Sequence, residues 1–264
     1  MNLFSRHAVA SALSEARKSA LRGALIGDAI VSIAAPAYLL LPGTSFHFDA
    51  HAAPGTGAAI GADSAQSLRS VDFGSHTASW QVRALANWVA ATNDNADKPF
   101  VIVDKRGAQL HVFDATARLV DSSPVLLGAA RGDDNVAGIG NRPIDQIEPG
   151  ERTTPAGRFI AQRGQNATGK EVVWVDYDAA VSMHRVRITN PAERRPQRLA
   201  SAAPDEHRIS YGCINVPHAF FDAHIAPIFR AAAVPVYVLP EVKPLDQVFG
   251  RPAAGLPPHG EGRV

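Results

Sequence analysis

From Pro99 to Leu239 the apolar residues come in short runs broken by turn formers, and this pattern restricts the chain to a sheet-based fold. Phe100-Val-Ile-Val103, the turn Asp104-Lys105-Arg106-Gly107 and Gln109-Leu-His-Val-Phe113 predict a hairpin. Further strands are expected at about Ser123 to Leu127, Thr153 to Ala161, Val172 to Val175, around His184, on the approach to Cys213, and at Val236 to Leu239. Pro217 to Ala231 instead reads as a helix, with Phe220, Phe221, His224, Ile225, Ile228 and Phe229 on or near one face and Pro227 kinking or interrupting it. With 21 Gly and 19 Pro in 264 residues, the chain suits a loop-rich, mainly β domain with one sizeable core and extra segments.

Inside this pattern lies Arg208-Ile-Ser-Tyr-Gly-Cys-Ile-Asn-Val216, which holds the single cysteine. A lone thiol has no intrachain disulfide partner and cannot build a Cys-rich zinc site, so Cys213 is either a nucleophile or a small buried hydrophobe. Gly212 permits a tight backbone approach just before the sulfur, and the amides nearby could face an oxyanion, as acyl transfer to a thiolate requires. Ser182-Met-His-Arg-Val186 supplies an imidazole on a strand-like segment. A Cys and a His remote in sequence and close in space are the minimum for a thiol acyl enzyme. His207, six residues before Cys213, is the rival base.

His184, a spacer, and then Ser210-Tyr211-Gly212-Cys213-Ile214-Asn215 together resemble the catalytic motif of the L,D-transpeptidase family. Thr154-Pro-Ala-Gly-Arg-Phe159 is similar to that family's Thr-Pro-x-Gly-x-Phe strand, and the hairpin near Val101 extends the likeness over about Pro99 to Leu239. The resemblance implies a two-sheet β-sandwich with flanking helices, with Cys213 as nucleophile, His184 as proton acceptor and donor, and amides near Tyr211, Gly212 and Cys213 at the oxyanion. Ser210 and Asn215 would shape the turn and orient the histidine. It further implies peptidoglycan stem peptides as partners, attack at the carbonyl of the third stem residue, a thioester with loss of D-Ala, and a 3-3 cross-link or exchange of the terminal D-amino acid. No metal or organic cofactor is implied. Tyr211 stands where the family commonly has a second histidine, and the spacer from His184 to Ser210 is longer than usual; both bear on the substrate groove. A hydrolase on the same scaffold, trimming tetrapeptides or releasing a wall-linked lipoprotein, would share every motif residue. A non-catalytic wall-binding module would instead leave Cys213 with ordinary reactivity.

The flanks follow from composition. Residues 1–52 carry Arg6, Arg17, Lys18 and Arg22, an apolar run from Ala29 to Leu41, and Ala50-His-Ala52. They read as a signal peptide or, in the second reading, a membrane anchor, with a core helix as the bland alternative. The first two put the rest of the chain in the periplasm or outside the cell. Residues 53–76 read as a flexible linker. Residues 77–98 hold an amphipathic helix over Thr77 to Thr92 with Trp80, Ala84, Leu85, Trp88 and Val89 on its apolar face. The catalytic-type domain spans 99–240, and 241–264 read as a disordered tail.

Formal charge of +1 gives no reason to expect a nucleic-acid surface. Sequence sets no oligomeric state. In the loop from Ala129 to Arg152, Asp133, Asp134 and Asn135 lack the ordered alternation of a calcium loop, so a solvated surface loop is expected. His111 should face away from Leu110 and Val112 as a solvated or hydrogen-bonded strand histidine. The basic, Pro-broken stretch Asn190 to Arg198 is either a solvated loop or a place where Arg194, Arg195 or Arg198 meets the carboxylates of an acidic peptide.

Overall fold

In the computed structural model of the protein, residues 71–250 are described. The signal or anchor segment, most of the linker and the end of the tail lie outside them. Among the described residues no helix is long and apolar enough to cross a membrane.

The expected hairpin forms from β1 (Phe100–Asp104) and β2 (Gln109–Phe113), paired from Phe100 opposite Phe113 to Asp104 opposite Gln109. Asp104 shapes the turn by accepting the amides of Arg106 and Gly107 at 3.0 and 3.1 Å. The run expected at Ser123 to Leu127 is divided: β3 (Leu119–Pro124) extends the hairpin, and β4 (Leu127–Gly128) leaves for a second sheet. β5 (Gly157–Gln165), β6 (Glu171–Asp176) and β7 (Val181–Arg185) form a meander. β8 (Arg208–Ser210), β9 (Ile214–Val216) and β10 (Val234–Val238) follow.

The large sheet has eight strands in the order β3-β2-β1-β10-β5-β6-β7-β9, and β4 pairs in parallel with β8. The fold is mainly β, with one large sheet, one small sheet and a few helices. Strand β10 joins the hairpin to the meander, parallel to β1 and antiparallel to β5. Its Pro235 is tolerated in the middle of a sheet because pairing with β1 begins only at Val236, so the missing N–H is not needed there.

The large sheet folds back on itself. Leu110 and Val112 from β2 and Ile214 and Val216 from β9 enter one core although their strands lie near opposite ends of the sheet. Alternate residues of β1 serve both faces: Val101 and Val103 join that core, whereas Phe100 and Ile102 join a second one with Phe113 and Tyr237. Helix α1 (Trp80–Thr92) covers the second core, with Ser79 capping it by accepting the Val82 amide and Asn93 ending it at φ 55°. Its buried stripe runs through Val82, Leu85, Ala86 and Val89. Trp80, expected on that stripe, is half-exposed, because it precedes Val82 by about 200° of helical rotation.

Helix α2 (Arg195–Leu199) lies in the basic stretch. Beyond β9, the helix expected from Pro217 is three joined pieces: α3 (His218–Phe220), a π-helical turn (Phe221–Ile225) and α4 (Ala226–Ala231). The Ala226 amide bonds back to the Phe221 carbonyl, so the ladder shifts by one residue just before Pro227, whose missing N–H then costs less. Phe221, Ile225 and Phe229 fill the first core from this side.

The assigned segment limits are too narrow at both ends. Val71 and Phe73, placed in the linker, are buried in the second core, where Phe73 meets Phe113 edge-on at 5.9 Å. Residues from 241 to 249, placed in the disordered tail, carry buried Glu241 and α5 (Leu245–Phe249), whose Leu245 is buried in the second core with Phe249 packed against it. Nor is the loop after β4 solvated throughout. Asp133 is buried on Lys105 at 2.7 Å and accepts the amides of Glu241, Val242 and Lys243. Asp134 pairs with Lys243, and Asn135 donates through Nδ2 to Asp176, so the two aspartates are tied to partners within the protein. Lys105, Arg208 and Glu241 complete a buried ionic cluster that ties this loop to the base of β8. His111 is buried and hydrogen-bonded to Ser122 at 2.7 Å, the bonded form of its expectation, because its face of β2 is covered as well.

Candidate active site

Strands β7 and β9 run parallel with Met183 beside Ile214 and His184 beside Asn215. Met183, Ile214 and Val216 are in the core, so the period of two turns Ser182 and His184, and likewise Cys213 and Asn215, to the opposite face. Two strands distant in sequence thus deliver a thiol, an imidazole, a hydroxyl and an amide to one patch. Ser182 Oγ lies 3.6 Å from Cys213 Sγ, and the thiol reaches the Ala180 carbonyl at 3.7 Å. Ala180 has φ 56° in the turn before β7, and that conformation aims its carbonyl at the sulfur.

Burial alone would push the Cys213 thiol up. A hydrogen bond and the charge of His184, then the amide and hydroxyl of Ser182, outweigh it and bring the thiol from 9.0 down to about 7. His184 Nδ1 sits 2.8 Å from the Arg185 carbonyl, which can only accept, so Nδ1 is the donor there and Nε2 is the nitrogen left for proton exchange. The ring is therefore oriented by the backbone of its neighbour, not by Ser210 or Asn215 as expected. His207, the rival base, is buried with Nδ1 and Nε2 each 3.0 Å from a carbonyl, of Val125 and Ser201. Both nitrogens are committed to the backbone, and the ring has a structural place instead.

The turn carrying Cys213 is clamped from inside. Ser210 Oγ donates to the Cys213 carbonyl at 2.6 Å and accepts the Gly212 amide at 3.1 Å. That amide is thereby engaged, leaving the Tyr211 and Cys213 amides as the oxyanion candidates of the expected three. Asn215 Nδ2 donates to the Cys213 carbonyl at 3.2 Å. Gly212 has φ 119°, and a Cβ there would lie 2.6 Å from the Thr153 carbonyl oxygen, so glycine is required on both counts. Buried Thr154 donates to the Gly212 carbonyl and accepts the Gly128 amide, both at 2.9 Å, which locks the turn to β4.

Sequence reasoning gave no role to Ser182 or Arg152. Ser182 was findable, since a strand residue two before His184 shares its face. Arg152 stacks 4.2 Å over the ring of half-exposed Tyr211, a contact across a long loop that no local pattern signals. The three arginines divide. Arg195 reaches the site, donating to Asn215 Oδ1 at 2.6 Å while also paired with Glu193. Arg198 is bound to the carbonyls of Glu193 and Glu206. Arg194 and Arg198, with Gln197, Ser201 and Glu206, line a cavity of about 310 Å³ whose walls do not include Cys213 or His184.

No protein-family profile matches the chain, and no curated protein matches it. Among solved structures it is similar to the helical cell shape determining protein Pgp2 from Campylobacter jejuni, at 14% identity over 59% of this chain and 53% of that chain, with a TM-score of 0.38. It is also similar to the catalytic domain of the E. faecium L,D-transpeptidase, at 16% identity over 54% of this chain and 98% of that one, TM-score 0.29. Mycobacterium tuberculosis L,D-transpeptidase 1 is similar at 17% identity over 53% and 61% of the two chains, TM-score 0.28. The chain spans about half the length of the Pgp2 structure, and these are likenesses of backbone alone.

Proposed function

We propose that the protein is a cysteine acyltransferase of the L,D-transpeptidase kind, acting on peptidoglycan stem peptides in the periplasm or outside the cell. The observation that carries this reading is the geometry that brings Cys213 Sγ to 3.6 Å from Ser182 Oγ, beside the strand of His184, on a turn clamped by Ser210, with the thiol lowered as a consequence. A passive wall-binding module has no use for such a thiol, whereas a nucleophile at neutral pH needs one.

In the reaction, His184 Nε2 takes the thiol proton and the sulfur attacks the carbonyl carbon of the third stem residue. Negative charge gathers on the carbonyl oxygen, where the Tyr211 and Cys213 amides are the available donors. The C–N bond to the terminal D-Ala breaks, its amine takes the proton from His184, and a thioester to Cys213 remains. A second stem's amine then attacks the thioester carbonyl and gives its proton to His184. The sulfur leaves as thiolate, and a 3-3 cross-link is formed. Ser182 steadies the thiolate before the first attack and again when the thioester is cleaved, and the Ser210, Asn215 and Thr154 bonds keep the sulfur from drifting as charge comes and goes. Water in place of the amine gives hydrolysis by the same groups.

The test is mass spectrometry of purified disaccharide-tetrapeptide incubated with wild type and with Cys213→Ala. Loss of D-Ala with a cross-linked dimer, in wild type only, is expected. Loss of D-Ala without a dimer assigns the hydrolase, and no D-Ala release by wild type refutes the reading.

A further inference from the structure

The excursion between β7 and β8, longer than the family pattern it resembles, builds the cavity of about 310 Å³ lined by Arg194, Gln197, Arg198, Ser201 and Glu206. Its wall carries two guanidinium groups against one carboxylate, and Arg198 already lies 3.6 Å from that carboxylate while bonding the Glu206 carbonyl. Among the described residues the Arg194 side chain has no hydrogen bond or ion pair, and it is exposed. Arg194 also sits at φ 50°, the one long side chain among the described non-glycine residues with positive φ, whose other six members are Asn, Asp or Ala. A bulky residue is strained in that region and persists there where surrounding structure imposes it. Here the strained backbone carries the cation that the fold leaves unpaired beside a cavity.

We infer that this cavity is a carboxylate subsite, with Arg194 as its primary ligand and the remaining Arg198 donors as its second. The occupant is a carboxylate of the acidic peptide that Cys213 acts on, so the inference rests on the function proposed above. A planar guanidinium takes a carboxylate through paired N–H bonds, and an unpaired one at a cavity mouth loses little hydration in doing so. The subsite communicates with the nucleophile through one short path. Arg195, next in the chain, donates to Asn215 Oδ1, and Asn215 Nδ2 donates to the Cys213 carbonyl. A carboxylate seated on Arg194 therefore anchors its peptide on the element that braces the cysteine turn.

The experiment uses phenylglyoxal, which modifies free guanidinium groups, on the full chain with peptide mapping, in the presence of the stem tetrapeptide or of its fully amidated form. Arg194 should be modified well before Arg195 and Arg198, and the acidic peptide should slow its modification by about threefold or more where the amidated peptide does not. Arg194→Ala should raise KM about tenfold for the acyl donor, with Cys213 alkylation unchanged; a rise for the acceptor alone would overturn the assignment to the peptide that Cys213 acts on. Equal modification with either peptide, or unchanged KM for both, overturns the inference. Protection without D-Ala release by wild type would leave the subsite standing and sink the transpeptidase reading.

Discussion

Removing the His184 imidazole should change how fast Cys213 reacts in a way that reverses with pH. With the thiol at about 7, about half of it is thiolate near pH 7. His184→Ala removes the first two influences that lower it while burial remains, so the thiol should move back up toward its ordinary 9.0. Near pH 7 about 1% is then ionised, a loss of about 50-fold in reactive species. Thiolate nucleophilicity rises with basicity by a Brønsted coefficient of about 0.4–0.5, which over about two units restores some six- to tenfold. The net fall toward an aromatic disulfide should be about five- to eightfold near pH 7. Near pH 10, where most of both thiols is ionised, the variant should be the faster protein by about five- to ninefold. Stopped-flow absorbance of the released thiol, across this range, gives both profiles. Coincident profiles would mean that the imidazole does not act on the sulfur, and the proposed proton transfer would fall with it.

Gly212→Ala places a methyl against the Thr153 carbonyl at a φ of 119°, so the turn must shift; turnover should fall on the order of 100-fold while circular dichroism keeps the β signature. Thr154→Val leaves the Gly212 carbonyl and the Gly128 amide without their buried partner, and urea unfolding should show a loss of about 2–4 kcal/mol. Asp133→Asn strips the charge from a buried pair with Lys105 and should cost roughly 3–5 kcal/mol near neutral pH. Burial would raise the Asp133 carboxyl, but Lys105 and the amides of Lys243 and Glu241 hold it at about 2, below the ordinary 3.8. Its contribution is present above about pH 4 and is lost as pH falls toward 2, so the gap between wild type and variant should close over that window. A gap that stayed constant down to pH 2 would refute that assignment.

The strands were legible because alternation and turn chemistry are local: Phe100 to Phe113 reads as a hairpin and forms one. The meeting of Cys213 with His184 was legible only through the resemblance, since nothing local states that β7 and β9 are neighbours. Partners set by tertiary geometry stayed hidden. Asp133 looks like a surface acid in a Gly-rich loop, and only folding brings Lys105 and the amides beyond Pro240 to it. Phe73 and Leu245 sit in polar, Gly- and Pro-marked surroundings that read as linker and tail, yet with Val71 and Phe249 beside them they dock both segments on the second core. Trp80 fails the other way, since an aromatic at a helix end counts toward an apolar face that its rotation does not join.

The most direct measurement is intact-protein mass after rapid acid quench with the tetrapeptide donor, for wild type, Cys213→Ser and His184→Ala. Acylation through Cys213 predicts that wild type gains the mass of the donor less D-Ala, that the adduct maps to the peptide holding Cys213, that Cys213→Ser shows none, and that His184→Ala accumulates it more slowly. An adduct that persists in Cys213→Ser, or D-Ala release in wild type that proceeds undiminished in Cys213→Ser, would contradict the thioester and with it the role assigned to this site.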